Sequence, residues 1–123
     1  MAYSSSVALT IQDITRAGKA VTKPLVVPTA THGNKFLNDG KTFLRVVNGS
    51  AAPVTVTVDV PALVDGLAVA DLVSTVAATG DANGLDDLLI GPFTTNFQQS
   101  DGYVWAVCSA VTDVTIGAFR VSV

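Results

Sequence analysis

The chain contains no glutamate, and all ten of its acidic residues are aspartate. Aspartate competes with the helical backbone for hydrogen bonds and favours turns and caps, so this absence argues against a helical fold. Charge is scarce altogether. Only 14% of residues are charged, whereas designed soluble surfaces carry roughly 25–35%. A soluble domain so poor in charge either buries part of its surface against partners or covers itself in Thr, Ser, Ala and Gly. The first reading is preferred. Long apolar runs are missing too, although the mean hydropathy is +0.49, and no stretch approaches a membrane span. Met1-Ala2-Tyr3-Ser4-Ser5-Ser6 has no basic or apolar leader region, so no secretion signal is expected. Basic residues number seven and are scattered, and the net charge is −3. That balance disfavours sequence-independent nucleic-acid binding, which depends on Lys and Arg neutralising phosphates. The lone cysteine, Cys108, has no internal disulfide partner. Within Val104-Trp105-Ala106-Val107-Cys108 it reads as a small core hydrophobe of a chain folded in a reducing cytosol.

What is abundant is β-branched. Twenty valines and fourteen threonines suit pleated, half-buried surfaces. The clearest element covers residues 54–60, where Val54, Val56, Val58 and Val60 alternate with Thr55, Thr57 and Asp59, the period of a strand with one buried face. Residues 41–47 form a second strand with apolar side chains on both faces. Asn48-Gly49 and Pro53 lie between the two, which predicts a β-hairpin with a loop of about five or six residues.

Residues 1–6 read as a mobile arm. Alternation at Val7, Leu9 and Ile11 predicts a first strand. Residues 13–23 are mixed. Pro24 and Pro28 bracket a short edge strand at Leu25, Val26 and Val27. Residues 29–40 form a connection holding His32, the only histidine. Residues 61–70 are a second connection, turning at Asp65-Gly66. Further strands are expected at 72–76, 88–90, 103–109 and 115–123, with a loop at 77–87. The fold expected is all-β: a single-domain antiparallel β-sandwich over residues 1–123, jelly-roll or Ig-like, with about eight strands. Residues 1–6, or the chain up to about residue 35, form an N-terminal arm. Arg16, Lys19, Lys23 and Lys35 are four of the seven basic residues, and they suit this arm to an acidic partner surface.

No catalytic constellation is present. His32 and Cys108 lie far apart in sequence, and His32 reads as an exposed loop residue beside Gly33. No phosphate-binding glycine loop and no nucleophile elbow occur. No metal or cofactor is expected. The nearest thing to a metal site is Asp81-Ala82-Asn83-Gly84-Leu85-Asp86-Asp87, but Leu85 occupies a ligand position and no glutamate closes the loop, so a solvated loop is the preferred reading. Asn48-Gly49-Ser50 matches a glycosylation acceptor and is read as a turn. Tyr103 and Trp105 share one strand face, where exposed aromatics could bind carbohydrate. A core position or a partner interface is preferred.

One set of fragments carries a resemblance: Asn38-Asp39-Gly40-Lys41-Thr42-Phe43-Leu44, Val47-Asn48-Gly49-Ser50, Thr55-Val56-Thr57-Val58-Asp59, Asp65-Gly66-Leu67-Ala68-Val69-Ala70-Asp71, Ile90-Gly91-Pro92-Phe93 and Asp101-Gly102. Their order and spacing resemble those of small head decoration or minor capsid proteins of tailed bacteriophages. The resemblance covers about residues 38–123. The chain departs from that pattern in a longer loop at 79–87, and its first 37 residues carry no matching motif. The resemblance implies a structural, non-enzymatic virion protein, made in the bacterial cytoplasm, that binds the outside of the head and stabilises the shell. Its implied partners are the major capsid protein and copies of itself, a trimer among the candidate states. A neck or tail role, and a carbohydrate-binding surface module, are the alternatives.

Overall fold

The computed structural model describes residues 3–121. The chain is all-β, with two single turns of 3-10 helix at Tyr3–Ser5 and Thr95–Phe97. Eleven strands follow in chain order: β1 (Val7–Ala8), β2 (Ile11–Ile14), β3 (Asn34–Leu37), β4 (Thr42–Asn48), β5 (Val54–Val58), β6 (Leu63–Val64), β7 (Leu67–Ala68), β8 (Leu72–Val76), β9 (Asp87–Ile90), β10 (Tyr103–Cys108) and β11 (Val114–Val121). A five-stranded sheet has the order β1-β3-β10-β5-β8, a four-stranded sheet the order β2-β11-β4-β9, and β6-β7 stand apart as a ribbon.

Alternation decides which side of each strand is buried. Leu44 and Val46 on β4, Val54, Val56 and Val58 on β5, Val104, Ala106 and Cys108 on β10, and Val114, Ile116 and Ala118 on β11 all feed one buried cluster. Both sheets therefore contribute to the same core, closed at one end by Phe36, Phe93 and Phe97. Ring centroids there lie 5.8 Å (Phe36–Phe93) and 5.2 Å (Phe93–Phe97) apart, within the range of favourable aromatic pairs.

The expected hairpin between β4 and β5 does not form. β4 pairs with β11 and β9, whereas β5 pairs with β10 and β8. The loop 49–53 instead carries the chain from one sheet to the other. Asn48 is the reason. Its side chain is buried, and Nδ2 donates to the carbonyls of Ala52 (2.8 Å) and Ala77 (3.0 Å), while Oδ1 accepts from Ser50 N and Oγ. Gly49 N donates to Asp113 O. These bonds tie the loop to two other loops rather than to a partner strand.

Two further expectations are corrected. The sheets are mixed rather than purely antiparallel, because β1 pairs parallel to β3 and β2 parallel to β11. Parallel pairs need long crossovers, and the run between β1 and β3 supplies one. The strand count exceeds eight because the expected first strand divides into β1 and β2 on different sheets, the two-residue β6 and β7 lie in an expected connection, and β3 lies inside the span 29–40 that reads as another. The expected edge strand at Leu25, Val26 and Val27 is instead reduced to a single bridge between Val26 and Ile116. β3 was hidden by Asn34, a polar residue at a core-facing position. Its buried amide is satisfied by Thr29 N, Thr29 Oγ1 and Val7 O.

The segment expected to reach out as an arm lies on the chain's own sheets. β1 and β2 are edge strands, and Val26 exchanges backbone hydrogen bonds with Ile116. Residues 3–6 are tied down as well: Tyr3 Oη donates to the Asp101 carboxylate at 2.6 Å, and its ring meets Trp105 edge-on at 5.6 Å. The start of the arm, Met1 and Ala2, lies outside the described residues, as do the last two residues of the expected strand 115–123.

Candidate binding face

β10 alternates with Val104, Ala106 and Cys108 inward and Tyr103, Trp105 and Val107 outward. Of the two preferred readings, a core position or a partner interface, the core position is therefore corrected for Trp105. The smaller residues fill the narrow interior, and the aromatics stand half-exposed on the outer face of the five-stranded sheet. Register places Leu37 beside Tyr103, Lys35 beside Trp105 and Thr57 beside Val107 on that face.

Trp105 is held firmly. Its Nε1–H donates to the carbonyl of His32 at 2.7 Å. Gly33 makes this approach feasible, because it has φ +72° and a Cβ there would lie 2.4 Å from Ala106 O and 2.7 Å from Val107 Cγ2. The Lys35 ammonium sits 5.0 Å from the Tyr3 ring centre and 5.1 Å from that of Tyr103, a cation–π arrangement. Burial, then the bond to Asp101, pushes the Tyr3 hydroxyl well above its ordinary pKa.

On the other side of Trp105 a groove of about 270 Å³ opens, lined by Thr55, Thr57, Asp59, Asp71, Trp105 and Val107, among others. Asp59 N donates to Trp105 O, and the Asp59 carboxylate accepts from Gln99 Nε2 at 2.5 Å. The Asp71 carboxylate accepts from Val60 N at 3.0 Å. Both carboxylates thus sit at the same end of adjoining strands, beside one indole.

Next to this groove in the chain lies the β6–β7 ribbon. Asp65 and Gly66 have φ +52° and +78°, as a primed two-residue turn requires. The turn was legible in the sequence, but the strands on either side of it were not. Leu63, Val64 and Leu67 are 63%, 62% and 71% exposed, and Leu72 and Val73 on the adjoining edge strand β8 are exposed too. Val64 pairs with Leu67 on one face of the ribbon and Leu63 with Ala68 on the other, so the ribbon exposes large apolar side chains on both faces.

The remaining candidates are placed as follows. Cys108 is buried, and burial pushes its thiol up to about 11, so it behaves as a core hydrophobe rather than a nucleophile. His32 is half-buried rather than exposed. In the loop 81–87, Asp81 Oδ2 accepts from Asn83 N and Leu85 N, Asp86 accepts from Gly80 N, and Asp87 pairs with Arg45 at 2.6 Å. Those carboxylates are committed to the turn and to Arg45, which also donates to Val21 O. Among the described residues no group of three His, Cys, Asp or Glu is placed to hold a metal ion. The Asn48 amide is buried in protein hydrogen bonds and is inaccessible to glycosylation. No helix among the described residues is long and apolar enough to cross a membrane.

No family model, curated protein or solved structure matches this chain.

Proposed function

We propose that this protein is a non-enzymatic structural component of a tailed-phage virion, built as a two-sheet sandwich, that clamps onto the outside of the head and stabilises the shell. The carrying observation is the exposed apolar side chains of the β6–β7 ribbon, which the chain places directly before the edge strand β8. A two-stranded ribbon is marginal in water by itself. A ribbon that keeps Leu63, Val64 and Leu67 in solvent fits an element that gains its cover from a partner. Strand β8, Leu-Val-Ser-Thr-Val, carries neither charge nor proline, the devices that ordinarily blunt an exposed edge. The work is mechanical: apolar area buried between neighbouring capsid subunits resists expansion of the shell. The resemblance over residues 38–123 supplies the identity of that partner, the major capsid protein. Copies of the chain itself, in a trimer among other states, are the second proposed partner.

Electron cryo-microscopy of the virions that carry this chain tests the reading. Density for the domain on the head exterior, with the ribbon against a capsid subunit, is expected. Location at the neck or tail, or absence from the particle, overturns it. A paired variant, Leu63→Ser with Leu67→Ser, is expected to fold normally and to dissociate from heads.

A further inference from the structure

The groove beside Trp105 has a charge pattern that calls for a particular occupant. Asp59 and Asp71 place two carboxylates in a space of about 270 Å³. The ion pairs among the described residues are Arg45–Asp87, Arg120–Asp13 and Arg120–Asp39, so neither groove carboxylate is in one. Lys35, in register with Trp105 on strand β3, is held over the rings of Tyr3 and Tyr103. The strand order β3-β10-β5-β8 keeps it on the far side of the indole from both aspartates. The groove therefore combines two carboxylates that are in no ion pair among the described residues with an aromatic wall from Trp105 and further lining from Val107, Thr55 and Thr57.

We propose that this groove receives an arginine side chain from the polypeptide that covers the ribbon. A guanidinium is planar, stacks on an indole, and presents several donors to carboxylates at once, while its methylene stem suits an apolar lining residue such as Val107. Its volume matches a groove that has room for one side chain rather than for an extended oligosaccharide. Continuity along the chain favours the same source for both contacts: Asp71, which lines the groove, lies between the ribbon and β8 in the sequence. The identity of the donor rests on the proposed partner site at the ribbon. The chemistry of the groove does not.

Trp105 is the only tryptophan, so its emission reports directly on the groove. Titration of the full chain with N-acetyl-arginine amide is expected to change that emission saturably, with a Kd on the order of 1 mM. Raising the salt from 20 to 500 mM is expected to weaken it several-fold. N-acetyl-citrulline amide, the neutral isostere, is expected to leave the emission unchanged. The double variant Asp59→Asn, Asp71→Asn keeps acceptor oxygens for Gln99 and Val60 and is expected to lose the response. An equal response to both amides, a response that survives the double variant or ignores salt, or no response at all overturns the proposal. A saturable response to methyl glycosides without one to the arginine amide overturns it in favour of a saccharide site. These titrations need no virion, so failure of the shell reading leaves them intact. Conversely, a domain found on heads with an unresponsive groove removes only the arginine.

Discussion

Gly33 shows how one residue without a side chain secures the candidate face. Its positive φ and the 2.4 Å separation between a Cβ there and Ala106 O leave no room for alanine, and a backbone oxygen in a sheet cannot move aside. Gly33→Ala is expected to lower stability by about 2–4 kcal/mol and to blue- or red-shift Trp105 emission, read by urea denaturation and fluorescence. An unchanged midpoint would show that this packing is wrong. Cys108 offers a check on the core. Its raised thiol and burial predict slow iodoacetamide labelling of native protein at pH 7.5 and rapid labelling in denaturant. Asp39 governs the acid side. Burial pushes its carboxyl up, but bonds from Lys41 N, Arg120 and the Thr42 hydroxyl and N outweigh that and hold it at about 2. Asp13 moves the same way through its bond from Arg120, and Asp101 through its bond from Tyr3. Folded values below the unfolded value of about 3.9 mean that these bonds stabilise the fold fully above about pH 4. Each contribution is lost as the pH falls through the folded value of its carboxyl, about 2 for Asp39. Melting temperatures are expected to drop over that window, and Asp39→Asn is expected to flatten the drop.

Two loops of similar look have opposite consequences when elements are compared. The loop after β4 is anchored by a buried amide that satisfies two carbonyls and orders Ser50. Asn48→Ala leaves those groups unpaired and is expected to cost about 2–4 kcal/mol. Among the described residues the ribbon beyond β5 makes no such bonds with the core sheets, and it keeps Leu63, Val64 and Leu67 in solvent. Leu63→Ser and Leu67→Ser are expected to change stability by no more than about 0.5 kcal/mol. Equal destabilisation at both places would mean that the ribbon packs on the domain rather than on a partner.

For the whole molecule the informative change is removal of the N-terminal segment. Starting the chain at Lys35 deletes β1, β2, the Val26 bridge and the Asn34 amide, and uncovers one edge of each sheet. The truncated chain is expected to aggregate or to unfold without cooperativity, measured by circular dichroism on heating. Cooperative melting near the parent temperature would instead make those residues an accessory arm. Val56→Asp, at a position with no exposure, places an unpaired charge in the shared core and is expected to abolish folding.

Strands with strict alternation were legible without coordinates. Val54, Val56 and Val58 face inward as their period requires, and the positive-φ pair at Asp65-Gly66 announced its turn. Period two is a local property, carried by each strand whatever its neighbour. Which strands pair is not local. A hairpin and a sheet-to-sheet crossing both bury the same alternate residues of β4 and β5. What separates the two is the pairing of each strand with distant partners, together with the contacts of Asn48 with Ala77 and of Gly49 with Asp113. The same limit hid β3, where Asn34 faces inward because Thr29 and Val7 satisfy it. It also misplaced Trp105, since β10 is apolar on both faces and only the space between the sheets selects the smaller set for the core. Composition alone determined an all-β domain short of charge. The uncovered ribbon and the two-aspartate groove beside the indole were decided by tertiary structure, because each brings together side chains from strands that the sequence keeps apart.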